Sequence, residues 1–260
     1  MQRRRLLGYL GAGALSYGSV MLSGLTKPAV GQGSGVSIRY FGHTCFLFRG
    51  DGIRILVNPF EPLGCTVGYR RPQPTVDLVL VSSTLLDEGA AGDLPGDPKI
   101  LFESGVYQVN NRRIQGINTE RNTDAGRRFA PNVIWRWKQG GVKIVHMGGA
   151  LAPIEFEQKI LIGTPDILLL PVGGGAKAYA PEQAKAVVDV LNPKIVIPTQ
   201  YRTAAADEDN CDIVGLDEFL TLMKGSSVSR LNSDTLNISS GGVPGSGPQI
   251  RILSAASSLA

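Results

Sequence analysis

The 260 residues include only two histidines, His43 and His146, and three cysteines, Cys45, Cys65 and Cys211. Side chains that favour transition metals are therefore scarce, and the acid–base chemistry open to the chain gathers where carboxylates follow a strand. That place is Val76 to Glu88. Leu78 to Val81 is a continuous apolar run that reads as a buried strand, and Ser82-Ser83-Thr84-Leu85-Leu86-Asp87-Glu88 follows it. Asp87 and Glu88 can accept protons or serve as oxygen ligands. Ser82, Ser83 and Thr84 would be nucleophiles only with an oriented base in reach. No Gly-x-Ser-x-Gly elbow is present, so local backbone bonding is their expected role. Cys45 lies in an alternating strand and is expected to be buried rather than reactive.

This stretch resembles the metallo-β-lactamase fold superfamily, in particular its bacterial branch of lactonase-like and phospholipase-like metallohydrolases. Their signature after the strand is Thr-His-x-His-x-Asp-His. In register, Ser83 and Leu85 stand at the first two His, Asp87 matches the Asp, and Glu88 replaces the third His. Gly42-His43-Thr44-Cys45-Phe46, Asp51-Gly52 and Asn58-Pro59 carry the resemblance upstream. Arg121 before Ala130-Pro131-Asn132, His146-Met147-Gly148-Gly149 and Pro198-Thr199-Gln200-Tyr201 carry it downstream, so that it covers almost all of Val36 to Leu253.

The resemblance implies an α/β fold, a metallo-β-lactamase-like four-layer αββα sandwich, and hydrolysis at two metal ions that lower the pKa of a bridging water. Of the matched ligand positions Ser83, Leu85, Asp87, Glu88, Arg121, Gly149 and Gln200, only Asp87 keeps its type. Asp87, Glu88 and Gln200 are residual metal candidates, whereas Leu85 and Gly149 offer no side-chain ligand. Arg121 would put a fixed positive charge where a metal belongs, and is expected to pair with Asp87 or Glu88. His43 and His146 match family histidines outside the direct ligand set. Either each ring bonds a neighbouring loop, or His43, Asp87 and His146, with Glu88, form a new acid–base or single-metal site. The expectation is an inactive, non-catalytic binding or structural protein with no cofactor. The alternative is a hydrolase of a lactone, phosphodiester or other ester that uses zinc or another divalent metal in a rearranged site.

These residues must be positioned by sheets. Short β-rich runs at 36–41, 44–49, 53–57, 99–102, 106–109, 112–117, 133–138, 142–146, 167–172 and 194–198 read as strands, with further strands at 236–238 and 249–253. Pro181 to Val190 reads as a helix begun by proline and stopped at Asn192-Pro193, and 217–223 as a short helix. Trp135 and Trp137 share a face and are expected to pack. The loop Pro171 to Tyr179 resembles the family's Pro-Val-Gly-Gly loop and places Lys177 or Tyr179 to contact an anion. It lacks the Gly-Lys-Ser/Thr ending of a phosphate loop.

The start of the chain stands apart. Gln2-Arg3-Arg4-Arg5-Leu6-Leu7, a weakly apolar run to Leu25 and small residues around Ala29 and Gly31 resemble a twin-arginine export signal. The expected divisions are a signal at 1–31, a short segment at 32–35, one domain at 36–253 and a tail at 254–260. The signal would engage the export machinery and deliver the mature domain, expected to be soluble, to a periplasm or thylakoid lumen. Without residues 1–31 the chain carries 22 basic and 22 acidic residues, so bulk charge gives no reason to bind nucleic acid. The partner left open is a small molecule or a protein. Three cysteines permit one disulfide and one remaining thiol.

Overall fold

The computed structural model describes residues 35–119 and 131–255. Contacts group Gly33–Ala260 into one unit, apart from Met1–Gln32. The expected export signal and Arg121 both fall outside the described residues.

Two sheets face each other. The first contains β1 (Gly35–Gly42), β2 (Cys45–Gly50), β3 (Ile53–Val57), β4 (Leu78–Leu80) and β5 (Lys99–Leu101). The second begins with β6 (Gly105–Val109), β7 (Arg112–Thr119), β8 (Asn132–Gln139) and β9 (Val142–His146). Helix α1 (Phe156–Ile162), β10 (Ile167–Pro171), α2 (Pro181–Leu191), β11 (Ile195–Thr199) and α3 (Leu216–Leu222) follow. The chain closes with β12 (Ser227–Arg230), β13 (Thr235–Ser239) and β14 (Gln249–Ile252). The six-stranded order is β13-β1-β2-β3-β4-β5, and the eight-stranded order is β12-β14-β11-β10-β9-β8-β7-β6. Hairpins make the antiparallel halves, whereas β3, β4 and β5 run parallel, as do β9, β10 and β11.

Alternation along each strand decides which core a side chain joins. Phe46 and Phe48 of β2, Leu78 and Leu80 of β4, Trp135 and Trp137 of β8, and Ile167 and Leu169 of β10 fill the space between the sheets. Phe48 meets Trp137 edge to face at 4.9 Å between ring centres. On the far side of the larger sheet, Leu168, Leu170 and Val196 pack with Ala184, Val187, Leu191 and Phe219 of α2 and α3. The far side of the smaller sheet buries Leu47, Leu56 and Val79 under Phe60, Tyr69, Val76 and Ala91, so its cover is made of loops. The breakers between Gly89 and Pro98 explain why no described helix forms there. Polar, exposed β12 and the exposed apolar residues of α1, Phe156 and Ile160, escaped the sequence reading because neither shows a buried periodic face.

Cys65 and Cys211, 146 residues apart, form a disulfide, and Cys45 is the buried free cysteine. Leu169 is fully buried between the sheets. Leu169→Ala should lower unfolding stability by about 2–5 kcal/mol, read by urea denaturation as a shifted midpoint at constant slope.

Candidate functional site

The polar residues collect where strands end. The turn after β1 carries His43 and Thr44, β3 leads into Asn58, and β4 runs into Ser82 and Ser83. Beyond β11 comes Gln200. All six are buried. His43, Asn58 and Gln200 have φ of 54°, 51° and 51°, the left-handed region that residues other than glycine occupy sparingly and that gathers at functional sites. Gln200 N–H donates to the His43 carbonyl at 3.2 Å, which locks two of these residues together. The Asn58 side-chain oxygen accepts from Ser82 N–H at 2.8 Å.

A second set of bonds braces the strand ends at the same place, and the first of them crosses from one sheet to the other. Val133 N–H donates to the Ser82 carbonyl at 2.8 Å. Asn132 donates through Nδ2 to the Met147 carbonyl at 2.9 Å and accepts at Oδ1 from Gly149 N–H at 3.0 Å. Gly148, at φ 61°, abuts Asn132 and Ser82 so closely that a β-carbon would collide with both.

The two histidines part company. His146 Nδ1 accepts from Gly148 N–H at 3.0 Å, which leaves the proton on Nε2 to be donated to the Thr44 carbonyl at 2.9 Å. Both ring nitrogens are thus occupied by backbone, and burial pushes the ring's pKa down to about 4. His43 keeps Nε2 buried without a hydrogen-bond partner among the described residues. Burial lowers its pKa, Asp87 and Glu88 pull it part of the way back, and Lys177 adds to the lowering. His43, Asp87, Glu88 and Lys177 therefore share one electrostatic neighbourhood, and His146 is fixed elsewhere by its own bonds.

Asp87 meets a cation the sequence did not assign to it. Lys177 Nζ lies 2.7 Å from Asp87 Oδ2, whereas the expected partner, Arg121, lies outside the described residues. Asp87 Oδ1 is buried with no hydrogen-bond partner among the described residues. Ser83 Oγ donates to Glu88 Oε2 at 2.8 Å, so its hydroxyl is held by a carboxylate. Tyr179 points its hydroxyl away to the Ala152 carbonyl at 2.7 Å and takes no part. Lys177 was legible as a cation on a glycine-rich loop, but its reach to Asp87, 90 residues back, was not. Beside the Lys177 loop, Gly175 and Ala178 help line a cavity of about 1010 Å³, together with Asn118, Ala152, Gln158 and Gln183.

Two facing mixed sheets with buried polar side chains at the strand ends define the class of fold. The chain belongs to the beta-lactamase superfamily: the model of the Beta-lactamase superfamily domain matches residues 37–200. It is 27% identical over 215 residues to a UPF0173 metal-dependent hydrolase of Thermococcus onnurineus, covering 69% of this chain and 92% of that one. A UPF0173 protein of Pyrococcus abyssi is 24% identical over 187 residues, 65% of this chain and 84% of that one. Among solved structures, a Thermotoga maritima protein described as a Zn-dependent hydrolase of the metallo-beta-lactamase superfamily superposes with a TM-score of 0.67 at 27% identity. That match covers 85% of this chain and 100% of the other. These relatives overturn the expectation of a non-catalytic binding or structural protein, and they lend no support to the expectation that no cofactor is used. The expectation gave decisive weight to lost ligand types, whereas the match in sequence and fold spans most of the chain.

His146 supplies a pH test. Its native pKa of about 4 lies below the usual 6.5, so on acidification the unfolded chain takes up the proton first. The stabilisation is complete above pH 6.5 and is lost as the pH falls towards 4, about 2–3 kcal/mol of it by pH 4.5. Urea unfolding at pH 7 and pH 4.5 should show this loss in the natural chain, and a shallower pH dependence in His146→Gln.

Proposed function

We propose that this chain is a hydrolase of a lactone, phosphodiester or other ester, acting from a rearranged centre around His43 and Asp87. The observation that carries the reading is the set of buried polar atoms without partners among the described residues, His43 Nε2, Asp87 Oδ1, Ser82 Oγ and Gln200 Oε1. Leaving such an atom unsatisfied costs roughly 1–3 kcal/mol, so a group of them at the strand ends is what a site for water and substrate requires. Membership of the superfamily and the hydrolase names of the relatives support the same reading.

Those names also support a divalent metal as the cofactor class. The side chains of this centre do not fit the two-metal cage that the family resemblance implies. Leu85 and Gly149 have no donor, both nitrogens of His146 are engaged, and Asp87 already holds an ammonium. Among the described residues no group of three or more His, Cys, Asp and Glu side chains is placed to hold a metal ion. The chain's own groups nevertheless offer a route for the proton. His43, kept neutral by burial, takes a proton from water at Nε2 as the oxygen attacks the acyl or phosphoryl centre. The same nitrogen then returns the proton to the departing alkoxide. Asp87, fixed by Lys177, stabilises the transient imidazolium.

Purified mature protein, assayed on lactone, carboxylic ester and phosphodiester panels, should hydrolyse one class. His43→Gln and Asp87→Asn should each lower kcat/KM by at least about 100-fold. A folded protein inactive on every panel, both as purified and after supply of zinc, manganese or iron, sinks the reading.

We further propose that the chain works after export, in an oxidising compartment. The Cys65–Cys211 disulfide supports this, since such bonds persist outside the reducing cytosol, as does the twin-arginine-like start. Thiol counting under denaturing conditions on protein from its native host should find one free thiol per chain, with Gln32 as the first residue. Three thiols and an intact Met1 would reject export.

A further inference from the structure

A recess of about 290 Å³ lies beside the turn that carries His43, walled by residues of both sheets. Three tyrosines, Tyr40, Tyr69 and Tyr201, line it together with Arg230, Ile252 and Leu253. Parallel pairing puts it at the same end as the centre. β12 and β14 run alongside β11, so Arg230, Ile252 and Thr199, the residue before Gln200, all close their strands on one side. The walls are tied to His43. The Tyr40 hydroxyl donates to the His43 carbonyl at 3.4 Å, and the Tyr69 ring covers Gly42 with no room for a β-carbon. Tyr201 follows Gln200, whose N–H donates to that same carbonyl.

The lining is one-sided in charge, with one cation and no carboxylate among its described residues. The Tyr69 and Thr203 hydroxyls occupy each other at 2.7 Å, whereas the Tyr201 hydroxyl has no hydrogen-bond partner among the described residues. Burial pushes the pKa of Tyr201 up to about 12, Tyr69 adds to the rise and Arg230 opposes it, so a protonated phenol stands near a guanidinium. Arg230 meets Asp217 at 3.2 Å. That pair is exposed, of a kind that contributes little, and the guanidinium has five N–H groups, enough for a second acceptor.

We propose that this recess binds a carboxylate carried on a small apolar body. The carboxylate sits between Arg230 and the Tyr201 hydroxyl, and the body packs on the tyrosine rings, Ile252 and Leu253. A single guanidinium balances one negative charge, which favours a carboxylate over a phosphate dianion. The substrate of the hydrolase proposed above, on which this assignment rests, is then an ester or lactone that bears a free carboxylate on its apolar part.

The test is calorimetric titration of the full chain with benzoate, with benzyl alcohol and benzylammonium as neutral and cationic counterparts of the same ring. The expected result is saturable binding of benzoate, weakened at least about tenfold for the alcohol and lost for the ammonium. Arg230→Met and Tyr201→Phe, each of which removes a bond to a charged acceptor, should each weaken benzoate by about tenfold or more. Arg230 is exposed and Tyr201→Phe keeps the ring; if one variant fails to fold, the other decides. Benzoate binding that is absent, matched by the alcohol or the ammonium, or unchanged in a folded variant overturns the proposal. Hydrolysis is scored separately. Benzoate that binds without competing against the hydrolysed ester overturns the recess as a place for substrate. Binding that depends on Arg230, with no hydrolysis on any panel, removes the hydrolase reading and leaves the carboxylate site standing. Hydrolysis without benzoate binding does the reverse.

Discussion

The sheets are stitched to one another where β4 ends, and the centre depends on that stitch. Val133 N–H donates to the Ser82 carbonyl, Gln200 N–H to the His43 carbonyl and His146 Nε2 to the Thr44 carbonyl, and Gly148 fits against Ser82 only because it lacks a side chain. Apolar packing between the sheets is non-directional and would tolerate small slips. These hydrogen bonds fix how the strand ends meet. Asn58, Ser82 and the loop bearing Asp87 come from one sheet, whereas Gln200 and the loop bearing Lys177 come from the other. Without a fixed register between the sheets, Lys177 and Asp87 would not meet.

Much of the architecture was written in local patterns. Continuous apolar runs such as Leu78 to Val81 and Ile167 to Leu170 are buried strands because both of their faces are covered, and Pro181 opens a helix because its ring suits the first turn. The site was only partly legible. Asp87 stood out as a carboxylate following a strand, but the reach of Lys177 to it did not, and the pairing expected of Arg121 with Asp87 or Glu88 falls outside the described residues. Lys177 is far away in sequence and reaches Asp87 through the parallel crossover from β10 to β11. The fate of His146 was also hidden, since its two partners are backbone groups of Thr44 and Gly148 that no side-chain pattern announces.

Family and residues bear on different questions. The match over 37–200 and the shared fold place the chain among proteins named for metal-dependent hydrolysis. The side chains at the strand ends include a buried imidazole nitrogen, hydroxyls and amides that have no hydrogen-bond partner among the described residues, and a carboxylate under an ammonium. Fold and site are separate questions, since one fold carries many sites. Here the left-handed backbone at His43, Asn58 and Gln200 sits among buried polar side chains.

The bridge between Cys65 and Cys211 joins the loop cover of one sheet to the segment beyond β11 in the other. Its partners are 146 residues apart, with α-carbons 4.8 Å apart in the finished molecule. A random coil rarely brings such distant thiols together, because closing so large a ring sacrifices much chain freedom. Oxidation at this pair thus reports that both halves have already assembled. Molecules that meet an oxidant while still incomplete would leave the two sulfurs apart and open to wrong partners.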